Sequence, residues 1–151
     1  MTPALDPNSI THGIQLAVAP VFLLTAVSGM IGAVASRLAR IIDRARAVEE
    51  AASASADAEF LSRAITELGE LRLRGQLANG CIALLTFCAF LIGLTIIFLF
   101  LGETTAFQSA RWAVIGFLSG VASFMLALLC FLTETVIATR VLNFQLLTRR
   151  P

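Results

Sequence analysis

The sequence predicts an all-α integral membrane protein with three transmembrane helices, the first two extended into a cytoplasmic antiparallel helical hairpin. Three observations carry this. The 151-residue chain is 58% hydrophobic and only 14% charged, far on the apolar side of a soluble domain. Its charges leave three long uncharged runs, Gly13–Ser36, Gly75–Gly102 and Trp112–Thr133, each long enough to cross a hydrocarbon core about 30 Å thick at about 1.5 Å per residue. All eleven basic residues are arginine, and all but Arg111 flank one end of these runs or lie between the first two.

The elements follow in order. Spans are expected at about 13–36, 76–101 and 112–137, with a hairpin over 37–75, an outer loop over 102–111 and a C-terminal tail over 138–151, all in one membrane domain. The third helix is expected to continue into that tail and end near Val141–Thr148. Residues 1–12 contain no Lys or Arg, so the first run reads as a retained span and not as a cleaved leader. Asn8 or Ser9 after Pro7 is the expected start of the first helix. Pro20 removes one backbone hydrogen bond there, so a kink or local opening is expected. Thr105 and Gln108 have capping-box spacing for the third helix. The arginine bias puts the N-terminus outside and the 37–74 segment and C-terminus in the cytoplasm. Arg37, Arg40, Arg74 and Arg140 then lie at the inner membrane surface, against lipid.

On a wheel of 100° per residue, Leu38, Ile41, Ile42, Ala45 and Val48 form one apolar arc. Phe60, Leu61, Ala64, Ile65, Leu68 and Leu71 form another, and the small polar stretch Ala51–Asp57 separates them, with Ser55 or Asp57 starting the second helix. Charges along matching edges define a register. Arg40 opposes Glu70, Arg44 opposes Glu67 and Glu49 opposes Arg63, and the residue numbers of each pair add to nearly the same total, as an antiparallel pair requires.

Small residues recur four apart within the spans. Thr25, Gly29 and Ala33 form one row, Ser28, Gly32 and Ser36 a second, Ala89 and Gly93 a third, and Gly116 with Gly120 a GxxxG. Such rows permit close backbone approach. They exceed what one chain's own packing needs, so Gly29, Gly32, Ala33, Gly116 and Gly120 are assigned to homo-oligomer packing. Intramembrane polar candidates are Glu134, His12, Gln15, Thr25 and Ser28. Glu134 lies about 33 Å beyond Trp112 along a helix axis, near the inner boundary. Pairing with Arg37, Arg40 or Arg74 fits it slightly better there than an isolated functional carboxylate. His12 and Gln15 lie at the outer end of the first helix, from which Thr25 and Ser28 either continue a polar path or bond their own backbone.

Ala19–Thr25 (APVFLLT), Arg37–Arg46 (RLARIIDRAR), Glu67-Leu68 followed by Leu71–Arg74 (LRLR), and Phe131 with Glu134 resemble the membrane-protein family called domain of unknown function 2721. The resemblance implies a small three-span protein of the bacterial inner membrane and brings no activity or site residues with it. The chain has one histidine, no HExxH, P-loop or CxxC, and three cysteines set in apolar runs. No catalytic residue, metal site or cofactor is therefore expected, nor is an enzyme. A net charge of +1 provides no field for nucleic acid. The expected partners are the bilayer, further copies of the chain and other membrane-complex subunits. The reading is a homo-oligomeric assembly, scaffold or accessory subunit, and the alternative is a homo-oligomeric ion channel or small-solute transporter.

Overall fold

A computed structural model describes residues 7–104 and 110–148, with side chains placed for Thr11, 14–102 and 111–139. Three helices account for it: α1 Pro7–Ser53, α2 Ala58–Thr104 and α3 Ala110–Thr148. Each contains a segment apolar enough to span a membrane, with mean hydropathies of 2.0, 2.8 and 2.3.

Helix boundaries lie outside the expected ones wherever the composition permits. The first helix begins at Pro7, ahead of Asn8 and Ser9, because proline suits a first helical turn whose N–H is unpaired anyway. It runs unbroken through Pro20 and on through Ala51 and Ala52, alanine being the strongest helix former. Only Ala54–Asp57 remain as the connection. Asp57 ends it: its Oδ1 accepts the Glu59 amide at 3.0 Å, capping α2. The expected outer loop is shortened from both sides, and α3 ends at Thr148, inside the expected Val141–Thr148 stretch. The Thr105–Gln108 capping box lies outside the described residues.

The described residues fall into two compact units. The first takes the chain up to Ile31 together with Leu84–Leu126. Its core holds Val27, Leu85, Cys88 and Ile92 at 0% exposure, with Ala17, Thr95, Ala113 and Ser123 around them. Here α3 lies directly on α2. A Cβ on Gly116 would stand 2.8 Å from Thr95 Oγ1, and one on Gly120 2.9 Å from Ile92 Cδ1. Ser123 Oγ donates to the Leu84 carbonyl at 2.9 Å. Only glycine allows this approach.

The second unit takes Gly32–Ala83 and the chain from Ala127. Its core comprises Val34, Ile41 and Val48 from α1, Ala64, Leu71, Ala78 and Cys81 from α2, and Ala127 and Glu134 from α3. Cys81 Sγ donates to the Ala127 carbonyl at 3.3 Å. The α1 positions are seven apart, as are the first three from α2. This is the 3.5-residue period of knobs-into-holes packing, not the 3.6 of an isolated wheel. The buried stripe is accordingly narrower than the expected arcs. Ile65 is 70% exposed, and Ile42 and Phe60 are exposed too.

Candidate functional site

Each uncharged run ends, on the arginine-rich side, at one residue: Arg37 after Ser36, Arg74 before Gly75 and Glu134 after Thr133. The second unit brings these three together. Arg37 Nη1 donates to Glu134 Oε2 at 2.8 Å, and Arg74 donates to Oε1 from Nη2 at 3.1 Å and Nε at 3.3 Å. Glu134 thus ties α1, α2 and α3 at one level, with its side chain only 4% exposed. Of the three arginines expected near it, Arg40 is absent from the cluster and bonds Ser36 Oγ one turn back.

The cluster has two further members: Phe131, singled out with Glu134 in the sequence, and Thr135, which had no signal of its own. Thr135 Oγ1 accepts a second bond from Arg37 Nη1 at 2.8 Å and passes its own proton to the Phe131 carbonyl. The Phe131 ring lies 4.9 Å from the Arg37 guanidinium carbon, a cation–π distance. Their positions around Glu134, three residues before and one after, were the available clue.

Beyond this cluster, the hairpin keeps one of its three expected cross-pairs. Arg44 contacts Glu67 Oε1 through Nη2 at 2.8 Å and Nε at 2.9 Å. Arg63 does not reach Glu49 and instead pairs with Glu59 one turn earlier on its own helix. A partner four residues away needs no long-range ordering, so it competes well with an exposed cross-helix pair. Arg40 and Glu70 form no ion pair among the described residues. Arg37, Arg40, Arg44 and Arg74, with Ile41, Leu71, Ala138 and Glu134, line a cleft of about 320 Å³.

The other candidates are scattered. Thr25 Oγ1 bonds its own backbone at Val21, and Gln15 and Ser28 are exposed, so these three do not converge on a polar path. The side chains of His12 and Arg140 lie outside the described residues. Gly116 and Gly120, expected on an assembly face, are taken up between α2 and α3. Gly29 and Gly32 are the opposite case: a Cβ on either would meet nothing within 4 Å, and Ala33 beside them is exposed. Among the described residues, no group of three His, Cys, Asp or Glu side chains could hold a metal.

Three helices long and apolar enough to cross a membrane, with their charges gathered at one end of the spans, place this chain in the class of small multi-pass membrane proteins. Within that class its family is shown directly. The model of the family described as Protein of unknown function (DUF2721) matches residues 17–144, so the chain belongs to that family. No curated protein and no solved structure matches it.

Proposed function

We propose that this protein is a non-catalytic assembly module of the bacterial inner membrane that associates with further copies of itself, its N-terminus outside and its 37–74 hairpin in the cytoplasm. One observation carries the reading. Thr25, Ser28, Gly29, Gly32, Ala33 and Ser36, spaced three and four apart on α1, are all exposed, and Gly29 and Gly32 have open space where a side chain would be. Inside a bilayer, apolar surface gains nothing by leaving lipid. Close backbone approach at small residues is what drives helix association there. The arginines clustered around 37–74 favour the inward orientation of the hairpin.

The channel alternative has weaker support. Leu85, Ile92, Val27, Val34, Cys81 and Cys88 fill the interior at under 2% exposure, and both oxygens of Glu134 are engaged. Among the described residues no buried side-chain nitrogen or oxygen lacks a partner. Among the described residues Gln15, Thr25 and Ser28 form no polar path, so conduction would require a lumen built between copies.

Native mass spectrometry of the detergent-purified full chain, with chemical crosslinking in liposomes, tests the proposal. The wild type is expected to form a discrete oligomer that Gly29→Leu with Gly32→Leu dissociates. A monomeric wild type, or an oligomer indifferent to both substitutions, overturns it. Ion flux in proteoliposomes that changes with Glu134→Gln would favour the channel.

A further inference from the structure

We infer that the cleft bounded by Arg37, Arg40, Arg44 and Arg74 binds the phosphate of an anionic phospholipid, with a preference for a headgroup bearing two phosphodiester charges. The charge balance points there first. Four guanidinium groups line the cleft with a single carboxylate, Glu134, whose two oxygens are already held by Arg37 and Arg74. Glu67 neutralises Arg44. Glu70 borders Arg44 and Arg74 on the adjoining side without an ion pair to either among the described residues. Counting the ion-paired carboxylates, two positive charges are left over, and Arg40, which among the described residues bonds only the neutral Ser36 hydroxyl, carries one of them. The cluster also leaves N–H groups unused. Arg37 contacts Glu134 and Thr135 through Nη1 alone, so its Nε and Nη2 remain available as donors, as does Nη1 of Arg74. A guanidinium fork is the donor geometry that phosphate oxygens accept best.

Depth selects the lipid over a free anion. Arg37, Arg74 and Glu134 are the first charged residues beyond the uncharged runs, which puts them at the edge of the hydrocarbon. On α1, Arg40 lies about 4.5 Å further along the axis and Arg44 about 10 Å. The headgroup layer is about 5–8 Å deep on each side of a bilayer, so Arg40 is at phosphate depth and Arg44 at its outer rim. The same cleft offers Ile41, Leu71 and Ala138 as apolar lining, which suits an amphiphile better than a hydrated ion. Basic pockets between spans on the cytoplasmic side are a general means of holding such headgroups. The inference rests on the reading that these helices lie in a bilayer, and it is independent of self-assembly.

The test is native mass spectrometry of the full-length protein, read per chain on whatever oligomer is present. The probes are diphosphatidylglycerol, phosphatidylglycerol, phosphatidylcholine and inorganic phosphate. Diphosphatidylglycerol should be retained about tenfold better than phosphatidylcholine, with phosphatidylglycerol between them. Arg40→Gln, which touches no core contact, should lower its retention by about tenfold, the loss of one charge-assisted bond. Arg40→Lys should recover most of it. Arg72→Gln, an exposed arginine of the same hairpin that does not line the cleft, should change it less than about twofold. Equal losses for Arg72→Gln and Arg40→Gln would mean a diffuse surface field and overturn the site. Equal retention of phosphatidylcholine would overturn it as well. Displacement of the lipid by millimolar inorganic phosphate would reassign the cleft to a free anion.

Discussion

Replacing Glu134 by glutamine should destabilise the protein by about 2–3 kcal/mol. Glu134 accepts three bonds from two guanidinium groups while its own side chain is 4% exposed. Breaking a fully buried ion pair by removing one partner costs about 3–5 kcal/mol, because an uncompensated charge is left behind. Here the side chains of Arg37 and Arg74 are 34% and 24% exposed, so both recover part of that solvation, and the lower figure applies. Glutamine keeps one accepting oxygen but aims an NH2 group at the second guanidinium. For a chain of this length, 2–3 kcal/mol corresponds to a fall in unfolding temperature of roughly 5–10 °C. In a Cys130→Ser background, which removes the free and partly exposed third thiol, Cys81 and Cys88 at 0% exposure make a thiol-reactive dye a suitable reporter in detergent, since they become accessible only when the helices part. The decisive control is the same substitution in an Arg37→Gln, Arg74→Gln background, where it should cost nothing or stabilise, because there the buried Glu134 carboxylate is itself the unpaired charge that glutamine removes. A single variant within about 1 °C of wild type, or equal costs in both backgrounds, would refute the account of Glu134 as a three-helix tie.

Other predictions follow from the same contacts. Gly120→Ala should cost about 1–3 kcal/mol by overpacking, since its Cβ would meet Ile92 Cδ1 at 2.9 Å and Cγ1 at 3.3 Å. Gly32→Ala, whose Cβ meets nothing within its own chain, should not destabilise the dissociated single chain and should stabilise it by up to about 1 kcal/mol through helix propensity, read as its unfolding temperature. Arg44 and Glu67 should show a coupling of about 0.2–1 kcal/mol in a double-mutant cycle, whereas Glu49 and Arg63 should be strictly additive. Asp57→Ala should cost about 1 kcal/mol through loss of the α2 cap, and hydrogen exchange should report it as faster exchange at Glu59, whose amide it caps.

The fold was legible because membrane composition leaves few choices. Uncharged runs of this length have to be helices, since backbone polar groups in lipid must be satisfied internally. The Ala51–Asp57 stretch, made only of Ala, Ser and Asp and so without a large apolar side chain to pack, marked the place where the chain turns back. The Arg44–Glu67 register was legible because antiparallel helices fix it by counting. Glu49–Arg63 was misread because counting takes no account of Glu59, one turn away on the same helix. The arcs were drawn too wide for a similar reason. A wheel groups apolar residues without showing which of them the partner helix reaches, so Ile42 and Ile65, each about 100° around the helix from Ile41 and Ala64, were grouped with those buried positions although they are exposed.

By itself, then, the sequence determined a three-helix membrane protein, the turn between its first two helices, and the end at which its charges collect. Only the tertiary structure decided that Glu134 takes Arg37 and Arg74 while Arg40 is left over, and that α3 spends its glycines on α2 while α1 keeps its own open. The physical reason is common to both outcomes. In a span whose lipid-facing and core-facing sides are equally apolar, composition does not mark the inside. Contact does, through the few positions where a glycine, a hydroxyl or a carboxylate has a partner.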